Sequence, residues 1–141
     1  MAVDIIETES EQETVAAGER LGASLQPGEV VLLTGELGAG KTAFVRGLAR
    51  GVGGSPDEVS SPTFTLIQEY KGGRATLHHV DLYRLQPVEV ADLGLDELVS
   101  SGDIVAIEWA ERWSERPDDV IEVQIEDAGE DRRRIRVQRG G

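Results

Sequence analysis

The sequence predicts an α/β domain of three layers, with a mixed, mainly parallel sheet and added antiparallel hairpins. Three observations carry this. Two short runs, Val30-Val31-Leu32-Leu33 and Ile104-Val105-Ala106-Ile107, are continuously apolar, as strands covered on both faces are. Helical patterns flank the first of these runs. The tail alternates strictly, Ile121, Val123 and Ile125 against Glu122, Gln124 and Glu126, then Ile135 and Val137 against Arg134 and Arg136, as a hairpin with one wet face does. Helix–strand–helix order with hairpins added describes helices on both faces of one sheet.

The elements follow in order. A helix is predicted over 10–25: Ser10 and Glu13 form a capping box, and Val15, Gly18, Leu21, Gly22 and Leu25 recur on one face. Pro27-Gly28 makes a turn into the first apolar strand. That strand feeds Gly35-Glu36-Leu37-Gly38-Ala39-Gly40-Lys41-Thr42 and a second helix, with Phe44, Val45, Leu48 and Val52 inward and Arg46 and Arg50 outward. Residues 51–56 end it. Segments 64–70 and 75–80 flank Lys71-Gly72-Gly73-Arg74 and read as two antiparallel strands. A short helix over 87–93 has Pro at its first position, and 95–99 adds a helical turn or two before the second apolar strand, which ends in Glu108.

Composition bounds the function. The 141 residues make one domain, 1–141, with 39% hydrophobic residues and no repeat or linker. The 27 acids against 14 bases leave a net charge of −13, which argues against holding nucleic acid or an anionic membrane by bulk attraction. The absence of Cys removes disulfides, thiol nucleophiles and Cys-based zinc sites. The first residues lack the pattern of a signal peptide, and no run approaches the ~20 apolar residues of a membrane span, so a cytoplasmic location is expected.

The segment at 35–42 has the spacing Gly-x-x-x-x-Gly-Lys-Thr between a strand and a helix, the arrangement of a P-loop. Its glycines let backbone N–H groups converge on phosphate oxygens, and the following helix aims its positive end at the same place. Lys41 reaches the terminal phosphates and Thr42 offers a hydroxyl to Mg²⁺. Guanine-reading loops use Asn/Thr-Lys-x-Asp; this chain has no Asn, and neither Lys41 nor Lys71 has Asp two residues on, which favours ATP over GTP. A P-loop enzyme also needs an acid at the end of a neighbouring strand. Glu108 and Asp81 both qualify, Glu108 as the Mg²⁺ ligand and Asp81 as a more distant metal partner or the water-orienting base. The polar, Pro-kinked Ser60-Ser61-Pro62-Thr63-Phe64-Thr65 stands where a γ-phosphate sensor can sit. His78 and His79 point to opposite faces of their strand, which suits structural roles. Trp109 and Trp113 share a face if a helix starts there, packing in the core or forming a partner surface or a lid over the nucleotide; Arg132-Arg133-Arg134 could meet RNA or a partner's acids, but within a hairpin reads as a solvated stretch opposite acids.

Several of these motifs together resemble one family. The loop Leu33-Thr34-Gly35-Glu36-Leu37-Gly38-Ala39-Gly40-Lys41-Thr42, then Ser61-Pro62-Thr63-Phe64-Thr65-Leu66 with Glu69-Tyr70, then His79-Val80-Asp81-Leu82-Tyr83-Arg84-Leu85 and Ile107-Glu108-Trp109, are similar in order and spacing to the bacterial TsaE (YjeE) proteins from about residue 8 to 137. His79-Val80-Asp81 departs from the His-Phe-Asp common there. The resemblance implies a P-loop NTPase domain and a small ATPase that takes ATP and Mg²⁺. The resemblance implies that this ATPase is required for N6-threonylcarbamoyladenosine formation in tRNA, beside the anticodon. It also implies that the ATPase joins a TsaB–TsaD heterodimer, so that tRNA is met only through the complex. By the same resemblance Leu37, Gly38, Ala39, Gly40, Lys41 and Thr42 hold phosphates, Thr42 and Glu108 hold Mg²⁺, Thr63 and Asp81 serve hydrolysis, and Glu11 lies near the nucleoside. No arginine is clearly placed as an internal finger, Arg84 excepted, so slow hydrolysis alone and faster turnover with partners are expected. The rival readings are a small-molecule kinase, for which no Arg-rich lid is visible between 88 and 103, and a non-catalytic nucleotide switch that assembles partners.

Overall fold

The computed structural model describes residues 3–35, 40–54, 67–83, 85–113 and 117–140. In chain order the elements are β1 (Val3–Thr8), α1 (Glu11–Ser24), β2 (Val30–Thr34), α2 (Lys41–Gly51), β3 (Ile67–Lys71), β4 (Thr76–Asp81), α3 (Pro87–Ala91), α4 (Leu95–Val99), β5 (Ile104–Glu108), a 3-10 turn (Ala110–Arg112), β6 (Ile121–Gly129) and β7 (Arg132–Arg139). Among the described residues the strands form one seven-stranded sheet in the order β1-β7-β6-β2-β5-β4-β3. The four central strands, β6, β2, β5 and β4, run parallel; antiparallel partners close both edges. The sheet is therefore mixed, with its parallel part at the centre where both faces are covered.

The apolar runs divide between those faces. Val31 and Leu33 of β2, with Ile104 and Ala106 of β5, pack under α1 and α2. Val30, Leu32, Val105 and Ile107 pack with Val90 of α3, Leu95 of α4 and Trp113. Helices thus lie on both faces, giving the three expected layers. No helix among the described residues is long and apolar enough to cross a membrane.

Helix α1 starts where the sequence places it: the Ser10 hydroxyl accepts from the Glu13 N–H at 3.1 Å. The Glu13 carboxylate accepts from the Glu9 N–H at 3.1 Å, so the return bond of the capping box falls one residue early. Helices α1 and α2 meet through glycines. A Cβ on Gly18 would come to 2.2 Å of the Phe44 carbonyl oxygen, and one on Gly47 to 2.1 Å of the Val15 carbonyl oxygen. Side-chain-free positions on both helices let the backbones touch, which fixes where α2 begins.

Two elements differ from expectation. β1 was not anticipated; it pairs antiparallel with β7 from Val3 opposite Gln138 to Thr8 opposite Arg133. The helix expected to place Trp109 and Trp113 on one face is instead the 3-10 turn. Trp109 stands before it at φ 60, and Trp113 alone is buried in the core.

Candidate functional site

Register places the site. In the parallel pairings Leu33 lies opposite Glu108, and Glu108 opposite Asp81, so three adjacent strands end at one level. Alternation then puts His79, Asp81 and Glu108 on the face shared with Leu77, Ile104 and Ala106, the side covered by α1 and α2. The chain leaving β2 enters the glycine-rich segment there, and Gly40 caps α2 in the left-handed region at φ 102, a conformation that favours glycine. Ligands of open α/β sheets bind at such carboxyl ends of strands.

A cleft of about 360 Å³ opens at this point. Of the residues singled out in the sequence, Glu11, Gly40, Lys41, Thr42, Asp81 and Glu108 all line it. Leu37, Gly38, Ala39, Thr63, the 60–65 segment and Arg84 lie outside the described residues. Glu11 sits at the rim in an ion pair with Arg46 at 3.0 Å.

Lys41 is 5% exposed. Its Nζ donates to the Gly35 carbonyl oxygen at 2.7 Å and lies 3.9 Å from the centre of the Trp109 ring. Trp109 in turn packs on Tyr83, with ring centres 4.9 Å apart and planes tilted by 42°. Loss of water around the ammonium lowers the Lys41 pKa, a trend opposed by the charges of Glu108, Asp81 and Glu111. Burial raises the Asp81 pKa; the Tyr83 N–H, which it accepts at 2.9 Å, pulls the other way, Glu108 raises it further, and His79 and Lys41 lower it. The arrangement is two carboxylates facing one partly dehydrated ammonium at the mouth of a helix N-terminus. Such a site suits a polyanion that brings its own cation.

The donor set fits Mg²⁺. Thr42, Asp81 and Glu108 offer oxygen donors only, and among the described residues no group of three or more His, Cys, Asp and Glu forms a cage for a metal. Mg²⁺ is ordinarily held by one or two carboxylates together with substrate phosphates and water.

Two residues of this site, His79 and Arg133, were not read as site residues from the sequence, and a third, Trp109, was read as core packing, lid or partner surface and takes its place beside Lys41. Trp109 belongs to the cleft, over Lys41, and its positive φ is uncommon for a bulky residue. His79 is fully buried against Glu108, with Nε2 2.5 Å from Oε2; its parity with Asp81 on β4 was the available signal. The expectation for the Arg132–134 stretch is corrected at Arg133. Its side chain is 15% exposed and lines the cleft. It lies so near Gly40 that a Cβ there would be 3.4 Å from its Nε. The hairpin carries it in, and its Nη1 donates to the Glu130 and Arg132 carbonyl oxygens at 2.9 and 2.8 Å. Only the fold brings β7 beside α2. His78, on the opposite face, has the structural role expected, with Nε2 2.8 Å from Asp103 Oδ2.

Fold and cleft together define a domain of the P-loop NTPase type. Residues 8–135 match the family described as Threonylcarbamoyl adenosine biosynthesis protein TsaE, and the chain belongs to that family. It is similar to proteins named tRNA threonylcarbamoyladenosine biosynthesis protein TsaE from a Nostoc species (46% identity, 81% of this chain and 72% of the relative) and from Aquifex aeolicus (42%, 93% and 92%). The crystal structure of Bacillus subtilis YdiB superposes with a TM-score of 0.82 at 34% identity, covering 99% of this chain and 87% of that one. The family acts in tRNA threonylcarbamoyladenosine biosynthesis.

Proposed function

We propose that this chain is a Mg²⁺-dependent ATPase that supports N6-threonylcarbamoyladenosine formation in tRNA, working with TsaB and TsaD and meeting tRNA through them. The observation that carries the reading is the convergence of Lys41, Thr42, Asp81 and Glu108 on one cleft at the start of α2. The first N–H groups of α2 and the Lys41 ammonium hold the terminal phosphates, and Arg133 adds a cation from the hairpin. Thr42 and Glu108 hold Mg²⁺, which when bound offsets phosphate charge. Asp81, as a carboxylate whose proton affinity is raised by burial, orients a water and takes its proton in this reading. Glu11 and Arg46, which pair on the lining of the cleft, meet the nucleoside in this reading. The strong net negative charge of −13 suits an indirect relation to tRNA.

Phosphate release from ATP is the test. The purified chain turns ATP over slowly, addition of a TsaB–TsaD complex accelerates it, and Lys41→Ala abolishes it. Phosphate appearing on a small acceptor rather than in water would overturn the reading in favour of a kinase, as would undiminished turnover in Lys41→Ala.

A further inference from the structure

We propose that His79 is a positioning residue for Glu108: its Nε2–H fixes one carboxylate oxygen so that the other is presented to Mg²⁺, a role that rests on the metal assignment above. His79 is fully buried, and Glu108 is 4% exposed. Their Nε2···Oε2 separation is 2.5 Å, while His79 Nδ1 is buried without a hydrogen-bond partner among the described residues.

The carboxylate assigns the proton. A carboxylate offers lone pairs only, so the shared hydrogen sits on Nε2 and His79 donates. His78 next to it is built differently: it has a carboxylate at each nitrogen, Asp103 at Nε2 and Glu69 3.9 Å from Nδ1, as a histidine that only ties strands together does.

Packing lets the ring reach. The cross-strand neighbour of His79 is Ala106, and Glu108 is two residues further along the same face of β5. A small residue opposite leaves room for the imidazole to lie diagonally toward Glu108, within the reach that diagonal sheet neighbours allow. With Oε2 engaged from within the protein, Oε1 is the oxygen left to the cleft that Glu108 lines. Partners that orient a metal ligand in this way typically contribute 10–100-fold in metal affinity.

The experiment compares ADP affinity by calorimetry in EDTA and across a Mg²⁺ series, for wild type, His79→Gln and His79→Asn, each checked by thermal melting. A glutamine amide reaches the place of Nε2; an asparagine amide stops at that of Nδ1. His79→Asn is expected to lose about tenfold of the enhancement by Mg²⁺ with its EDTA affinity unchanged, and His79→Gln to keep that enhancement. Equal enhancement in all three, equal loss in both variants, or a parallel fall of EDTA affinity would overturn the proposal. In the unaltered protein, long-range ¹H–¹⁵N spectra should show a proton on His79 Nε2; an Nε2 that carries none overturns the proposal without any variant. A wild type whose ADP affinity ignores Mg²⁺ would instead overturn the metal assignment, and so separates the two failures.

Discussion

Gly47→Ala tests whether the contact between α1 and α2 sets the site. In an open helix this change gains about 1 kcal/mol of helix propensity. Here the new Cβ would stand 2.1 Å from the Val15 carbonyl oxygen, 2.6 Å from the Glu19 nitrogen and 2.8 Å from the Gly18 carbonyl carbon. All three are backbone atoms, so no side chain can swing aside, and relief needs the helices to part by about an ångström. Overpacking of this kind costs roughly 1–3 kcal/mol, and parting the helices opens voids around Phe44 and Leu48, at about 24 cal/mol per Å³. The net expectation is a loss of about 2–4 kcal/mol, or roughly 8–15 °C in melting temperature for a domain of this size. Because α2 begins at Lys41 and Thr42, ADP binding should weaken as well. Differential scanning calorimetry measures the first effect and isothermal titration the second. Gly73→Ala, with nothing within 4 Å of its Cβ, is the control and should stay within about 0.5 kcal/mol. A Gly47→Ala protein that melts with wild type would refute the packing argument.

Other consequences follow from the cleft. Arg133→Ala should weaken ADP binding by tenfold or more, the worth of one charge-assisted contact at about 1.5–3 kcal/mol; an unchanged dissociation constant would return Arg133 to a purely structural role. Asp81 carries a raised pKa, so the folded chain binds more protons than the unfolded one between the ordinary carboxyl value and the raised one. Stability is then lost as pH rises through that window. Asp81→Asn is expected to melt at or above wild type above the raised pKa, and the gap should narrow as pH falls toward the ordinary carboxyl range and wild-type Asp81 takes up its proton; a gap that widens on acidification contradicts the assignment. The Glu11–Arg46 pair is solvent-exposed, so Arg46→Ala should cost less than about 1 kcal/mol in thermal melting, and a larger loss would mean the pair holds α1 to α2.

What could be read from the chain alone was what local pattern encodes. Val30-Val31-Leu32-Leu33 and Ile104-Val105-Ala106-Ile107 announced buried parallel strands because both faces of each are covered. The Gly-x-x-x-x-Gly-Lys-Thr spacing announced the cleft because backbone geometry there demands glycine. β1 was not legible: Val3, Ile5 and Glu7 face outward and exposed, so its own pattern does not declare a face, and its pairing with β7 holds it in place. Arg133 was equally hidden. In a hairpin it looks like any other cation beside acids, and only the sheet order, with β6 next to β2, swings the hairpin tip toward Gly40. Trp109 had the right neighbourhood and the wrong geometry, because a residue at positive φ ends the periodicity on which the shared face with Trp113 depended. His79 could have been read from parity with Asp81, but its partner is set by the β4–β5 register, which no local pattern prints.

A crystal of the chain with Mg²⁺ and a non-hydrolysable ATP analogue addresses the central claim most directly. The account predicts triphosphate density wrapped by residues 35–42, with Lys41 Nζ moved off the Gly35 carbonyl onto phosphate and a cation between Thr42 and Glu108. Nucleotide seated elsewhere, or an ordered complex in which Lys41 stays on Gly35 and Trp109, would contradict it.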